Sequence, residues 1–310
     1  MPHIAVLVPC YNEEATIAQV VKDFRAALPN ATVYVYDNNS RDRTVEEAQN
    51  AGAVVRREPR QGKGNVVRRM FADIEADIYV LVDGDDTYDA GAAPRMVQRM
   101  QETGCDLITG CRIHTDAAAY RPGHVLGNRL LTGLTAWLFS VKLPDMLSGY
   151  RVFSRRFVKS FPFTAEGFAI ETELTVHAVQ LLMPMESMDT RYKERPAGSV
   201  SKLNTYRDGF RILNAIGHLV REERPLIFFS VLFALLALAS VVIALPVVHE
   251  FLMTGQVPRL PTAILATGLM LLAFLSLTCG LILDTVTRGR WEKKRMAYLA
   301  IPGPGSLSQS

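Results

Sequence analysis

Hydrophobic positions in the first half of the chain come in short runs, separated by longer stretches with helical spacing. IAVLV (4–8), VYVY (33–36), AVV (53–55), IYVLV (78–82) and DLIT (106–109) have the composition of strands. Residues 14–27, 44–50, 65–74 and 90–102 lie between them and predict helices. Strands alternating with helices predict an α/β, Rossmann-like domain around a mostly parallel sheet covered on both faces. In such sheets ligands gather outside the carboxyl ends of the strands. The polar clusters fall there: PCYNEE after the first strand, DNNSRDRT after the second, DGDDTYD after the fourth.

Beyond residue 224 the pattern changes. Residues 226–248 are 23 consecutive positions without a charge, and residues 262–283 are 22. A hydrocarbon core of about 30 Å takes about 20 helical residues, so each stretch is long enough to cross a bilayer. The organisation predicted is an α/β domain over 1–204, a juxtamembrane amphipathic helix over 205–224, transmembrane helices over 225–249 and 262–284, a connector over 250–261 and a basic tail over 285–310. The connector carries one basic residue, Arg259, whereas Arg221 and Arg224 precede the first span and Arg288, Arg290, Lys293, Lys294 and Arg295 follow the second. The positive-inside rule then puts both termini and the large domain on the cytoplasmic side of the cell membrane and the connector outside. MPHIAVLVPCYNEE has no basic n-region and too short an apolar run for a signal peptide. Residues 126–141, and 206–221 with a basic stripe beside an apolar one, have the character of helices either at a membrane surface or packed as amphipathic helices on the sheet.

The formal charge is +3, and no nucleic-acid partner is expected. The four cysteines, Cys10, Cys105, Cys111 and Cys279, show no CxxC spacing, so neither a zinc site nor a disulfide framework is indicated.

The chemistry concentrates in DGDDTYD. Asp83, Asp85, Asp86 and Asp89 crowd into seven residues, and close carboxylates oppose one another's ionisation unless something positive joins them or water solvates them. A calcium loop starting at Asp83 would need Gly and Glu where Tyr88 and Pro94 stand. No GxxxxGK[ST] loop exists. What remains is a D-x-D pair, Asp83 and Asp85, able to hold one Mg²⁺ or Mn²⁺ that in turn bridges a diphosphate.

VPCYNEEATI, VYDNNSRDRT, the D-x-D pair and LPDMLSGYRVFSRR occur in that order, and with them the chain resembles the family 2 glycosyltransferases of GT-A fold. Within that family it is similar to polyprenyl-phosphate sugar transferases such as dolichyl-phosphate mannose and glucose synthases, over essentially its whole length. The resemblance implies that Pro9, Tyr11 and Glu13 line the nucleobase and ribose pocket, that Asp37 binds base or ribose, and that Lys63 approaches the donor phosphates. It implies Asp83 and Asp85 as metal ligands, with Asp83 also on the donor side; Thr87 stands where some relatives place a glutamine ligand, which leaves the third ligand open. Arg112 and Arg129 match arginines that grip the lipid phosphate, Arg151 in SGYR is a candidate for another, and Lys202 is a further candidate. Asp86 and Asp89 have no firm family role and read as solvated or helix-capping.

The implied reaction is transfer of a sugar, with inversion, from a nucleotide sugar to a polyprenyl phosphate. UDP-sugars are favoured, and GDP-mannose stays open. A phosphate monoester has its second pKa at ≈ 6 and is largely dianionic at neutral pH, so it hardly needs a base. Asp145 is accordingly a positioning residue or weak base. Glu171 and Glu173 fall on a predicted helix near the site. The alternatives are a transferase acting on another lipid or glycan, a processive synthase, against which TRGRW (287–291) lacks the Q of Q-x-x-RW, and a silent membrane scaffold. Oligomeric state stays open, a homo-oligomer included.

Overall fold

The computed structural model describes residues 2–114, 133, 145–162, 170–193 and 220–304; almost all of 126–141 and 206–221 lie outside them. The chain divides into two units, Met1–Ile212 with Lys293–Ser310, and Leu213–Glu292.

The first unit is built on a seven-stranded sheet, β1 (Ile4–Cys10), β2 (Thr32–Asp37), β3 (Val54–Arg57), β4 (Ile78–Leu81), β5 (Leu107–His114), β6 (Arg151–Ser154) and β7 (Met185–Tyr192), in the order β3-β2-β1-β4-β6-β5-β7. The pairs β1–β2, β2–β3, β1–β4 and β5–β7 are parallel, while β6 runs antiparallel to both β4 and β5. The sheet is thus mostly parallel and mixed. All five predicted strands are present, and β6 and β7 are additions. RVFS is four residues, all buried, with no alternation to announce it; β7 (MESMDTRY) is charged on both faces and sits at the sheet edge.

Side chains alternate across each strand. Val6, Val8, Val33, Val35 and Val80 meet helices α1 (Ile17–Ala27) and α4 (Ala93–Thr103) on one face. Ala5, Leu7, Tyr79, Leu81 and Phe153 meet α3 (Lys63–Asp73), α5 (Arg155–Ser160) and α6 (Ile170–Gln180) on the other. Helix α2 (Thr44–Asn50) has the predicted bounds. Helix α1 starts at Ile17, three residues later than predicted, because Asn12 takes φ 53° and the Thr16 hydroxyl donates to the Gly84 carbonyl at 2.7 Å. Helix α3 starts at Lys63, two residues early, directly after Gly62 at φ 125°, a conformation reserved for glycine.

The second unit holds α7 (Pro225–Thr254) and most of α8 (Leu260–Leu299), both long and apolar enough to cross a membrane. Pro225 opens α7 at a position that needs no N–H, and Gly255 ends it in the left-handed conformation. Ser240 donates to the Ala266 carbonyl and Ser276 to that of Phe229, so the two helices run antiparallel as a hairpin. Their other faces expose Leu235, Leu238, Leu271 and Phe274, an apolar surface that calls for an apolar solvent.

The C-terminal boundary differs from the sequence expectation. Residues 285–299 continue α8, and 293–310 belong with the α/β unit. Tyr298 donates its hydroxyl to the wholly buried Asp106 at 2.7 Å, Arg156 binds the same carboxylate with two nitrogens and lies over the Tyr298 ring, and Lys294 reaches Gln180. The sequence reads 285–310 as a basic tail, whereas Lys294 and Tyr298, four apart on one helical face, hold residues 293–299 against the α/β unit.

Candidate active site

The carboxyl ends of β1, β2 and β4 carry the polar loops, and a lattice of hydrogen bonds ties them together. The Asn12 amide donates to Ser40 Oγ and the Arg41 amide to Asn12 Oδ1, which joins the first loop to the second. Thr16 joins the first to the third through Gly84. Asn38 donates to the Glu58 and Arg60 carbonyls and accepts the Gly62 amide at 2.7 Å, which fixes the turn that launches Lys63. A buried side-chain amide with these bonds is structural infrastructure; DNNS marks it only as a polar turn.

Pro9 is buried at the end of β1, opposite Tyr36 of β2. Tyr11 and Glu13 follow half-buried, and Asp37 closes β2 almost wholly buried, accepting the Ser40 amide. The Cys10 thiol reports how tightly these groups converge. Burial pushes it well up, and the negative charges of Glu13, Asp37, Asp83 and Asp85, from three loops, add to the push.

Asp83 and Asp85 follow β4. Asp85 is 4% exposed, and its Oδ1 accepts the Thr87 hydroxyl at 2.6 Å and the Thr87 amide at 3.3 Å. Asp83 lies against Lys63 Nζ, and the same ammonium is 2.6 Å from Glu171 Oε1 in the first turn of α6. Burial raises the Asp83 carboxyl, against the pull of Lys63 and with the push of Asp85 and Glu171. Glu171 is held below its ordinary range: burial would raise it, but Lys63 prevails. A side chain at position 149 would collide with Asp83, which explains Gly149 in LSGY. Behind this cluster Arg68 and Glu173 pair at 2.7 Å between α3 and α6.

These residues fit Mg²⁺ or Mn²⁺. Two hard carboxylates stand two residues apart at the end of β4, Asp85 buried and the Asp83 side chain 29% exposed, and among the described residues no group of three or more His, Cys, Asp or Glu forms a cage. That is the donor set expected of an ion that keeps waters and shares its remaining positions with a substrate's phosphates. Asp86 pairs with Lys193 at φ 55°, and Asp89 caps the 3₁₀ turn Ala90–Ala92 through the Gly91 amide.

Beside the pocket, β5 presents Arg112. Its Nε and Nη2 each donate at 2.8 Å to Asp145, as a planar fork on a carboxylate, with the guanidinium over the Tyr192 ring. Burial works against that charge, but the Asp145 bond and the nearby Tyr88 and Tyr192 hold Arg112 above its ordinary range. Ser148 donates to the Gly110 carbonyl, and the Gly149 amide donates to the Tyr88 hydroxyl, so the 145–150 segment is pinned to β5 and to the aspartate loop.

Arg151 requires a correction. The sequence offers it as a phosphate contact, yet its side chain is 0% exposed and donates to the Ser148 and Met146 carbonyls and to Thr175 Oγ1. Burial lowers it to about 10. It is a strut for the 145–148 segment, not a surface anchor. Arg129 and Lys202 lie outside the described residues.

Residues 5–161 match the family described as Glycosyl transferase family 2. Glycosyltransferase AglJ of Haloferax volcanii is 36% identical over 233 residues, 73% of this chain and 75% of that protein. The Dolichyl-phosphate hexose transferase of the same organism is 28% identical over 222 residues, 71% of this chain and 95% of its own. Glucosyl-3-phosphoglycerate synthase from Mycobacterium tuberculosis, crystallised with Mn²⁺, UDP and phosphoglyceric acid, superposes with a TM-score of 0.55 at 24% identity, over 71% of this chain and 78% of that one; the likeness is one of fold.

Proposed function

The chain belongs to glycosyl transferase family 2, and on that premise we propose that it moves one sugar from a nucleotide sugar, UDP-linked by preference, onto a polyprenyl phosphate at the cytoplasmic face of a membrane. One observation carries the reading: an acidic, lysine-lined pocket suited to a metal diphosphate adjoins an arginine fork suited to a phosphate, in a chain with two helices apolar enough to cross a bilayer. A relative named for dolichyl-phosphate hexose transfer and a fold neighbour crystallised with Mn²⁺ and UDP support it.

Pro9, Tyr11, Glu13 and Asp37 hold the nucleoside, and Lys63 places its point charge on the donor phosphates. Asp83 and Asp85 would hold Mg²⁺ or Mn²⁺, and the ion would supply charge neutralisation for a departing diphosphate. Arg112 and Arg129 take the acceptor phosphate. One of its oxygens attacks the anomeric carbon as the bond from that carbon to the diphosphate oxygen breaks, and the nucleoside diphosphate leaves. A dianionic phosphate brings its own nucleophilicity, so the work of Asp145 is to hold the Arg112 fork in plane. A single displacement inverts the anomeric carbon; a product with the donor's configuration would contradict it.

Arg112→Lys keeps the charge and loses the fork. It should raise KM for polyprenyl phosphate roughly tenfold or more with donor KM little changed, as steady-state kinetics in both substrates would show. The reading itself is tested with purified full-length protein, Mn²⁺, polyprenyl phosphate and a panel of radiolabelled nucleotide sugars. Label from one donor should enter the organic phase, and EDTA should stop it. Donor hydrolysis alone, or a water-soluble glycan, would overturn the acceptor assignment.

A further inference from the structure

Lys63 occupies an unusual position. The pocket that would receive a divalent cation already holds a positive charge, because Nζ lies between Asp83 and Glu171. The ammonium is fixed from below: Gly62 turns the chain at φ 125°, Asn38 accepts the Gly62 amide, and α3 begins at Lys63 itself. Glu171 arrives from α6, 108 residues away, and its side chain is 14% exposed. Nothing in a donor-binding role for Lys63 requires a second carboxylate there.

We infer that Lys63 is a resident counter-ion for the cation site and that Glu171 is the positioning residue that lets it yield. This rests on the reading that Asp83 and Asp85 receive Mg²⁺ or Mn²⁺. In the cation's absence Lys63 neutralises Asp83, so this partly buried carboxylate does not stand unpaired. A cation arriving with the donor competes for the same Asp83 oxygens. Lys63 then gives up Asp83, keeps Glu171, and turns its free protons to the diphosphate. Without Glu171, the lysine would have no carboxylate partner left among the described residues on release, and the cation would bind against a larger opposing term. The pair therefore couples cation affinity to the donor: the ion binds poorly alone and well with the diphosphate that gives Lys63 a new partner.

The test is Mn²⁺ affinity, read from the electron paramagnetic resonance of the free aquo ion in titrations of the detergent-solubilised full chain, with and without UDP. Charge-assisted contacts of this kind are worth about tenfold or more in binding. Lys63→Met should tighten Mn²⁺ binding without nucleotide about tenfold or more, and the gain from adding UDP should shrink. Glu171→Gln should weaken Mn²⁺ binding about tenfold in the otherwise unaltered protein, but by less than about threefold in a Lys63→Met background, a non-additivity diagnostic of acting through one another. A merely damaged fold would not raise affinity, so the Lys63→Met result separates the two explanations. Unchanged or weaker Mn²⁺ binding in Lys63→Met would overturn the counter-ion role. An equal Glu171→Gln effect in both backgrounds would reduce Glu171 to a distant charge and overturn its positioning role. Absence of Mn²⁺ binding in every protein, with and without UDP, would overturn the metal reading and the inference with it.

Discussion

Asp85→Asn is expected to lower kcat/KM for sugar transfer by roughly 10²–10³-fold, the cost typical of removing one group that stabilises charge developing in a transition state. The substitution is chosen because it is nearly isosteric. Asp85 Oδ1 accepts from both the hydroxyl and the amide of Thr87, and an amide oxygen can accept both. The local turn should survive and the thermal midpoint should hardly move. What is lost is one of the two formal charges proposed to hold the cation. Raising Mn²⁺ should recover part of the activity if the defect is in cation affinity. Undiminished transfer would remove Asp85 from the cation site. A large fall in thermal midpoint would mean that the residue is structural first.

Arg151→Met separates a strut from a phosphate anchor. Methionine fills much of the space but leaves the Ser148 and Met146 carbonyls and the Thr175 hydroxyl without their donor. Buried acceptors left unpaired cost about 1–3 kcal/mol each, so a loss of about 3 kcal/mol or more is expected. For a domain of this size that corresponds to a fall of roughly 6–12 °C in the midpoint. Because the strut holds the segment that carries Asp145, acceptor KM should rise only as a companion of the lost stability. A protein of normal stability with a selective acceptor defect would restore Arg151 to the phosphate.

What could be read in the sequence follows from burial. Strands β1, β2 and β4 are covered on both faces and read as continuous apolar runs, and the loops behind them were placed at the site by the rule for parallel sheets. The D-x-D pair and Asp37 stand out because polar residues end or follow apolar strands, whereas Lys63, six residues beyond β3 at the start of α3, is suggested only by the family resemblance of QGKGN. The rest depends on contacts between distant residues. Lys63 and Glu171 are 108 positions apart, and an acidic first turn of a helix has an ordinary explanation in the helix dipole. Arginine shows the same ambiguity: in SGYR and in TGCRI it reads alike, and only packing makes Arg151 a wholly buried strut and Arg112 a fork whose side chain keeps 23% of its surface exposed. Strand β6 escaped because four buried residues carry no period, and the end of α8 because its basic residues masked the face with Tyr298.

The account turns on the acceptor being a polyprenyl phosphate. The most direct test offers the purified protein polyprenyl phosphate and the corresponding polyprenol in parallel, with the active nucleotide sugar and Mn²⁺, and reads the lipid products by mass spectrometry. A product one glycosyl residue heavier than polyprenyl phosphate, and none from the alcohol, is the predicted result. Equal transfer to the alcohol, or no lipid product beside intact donor turnover, would contradict it.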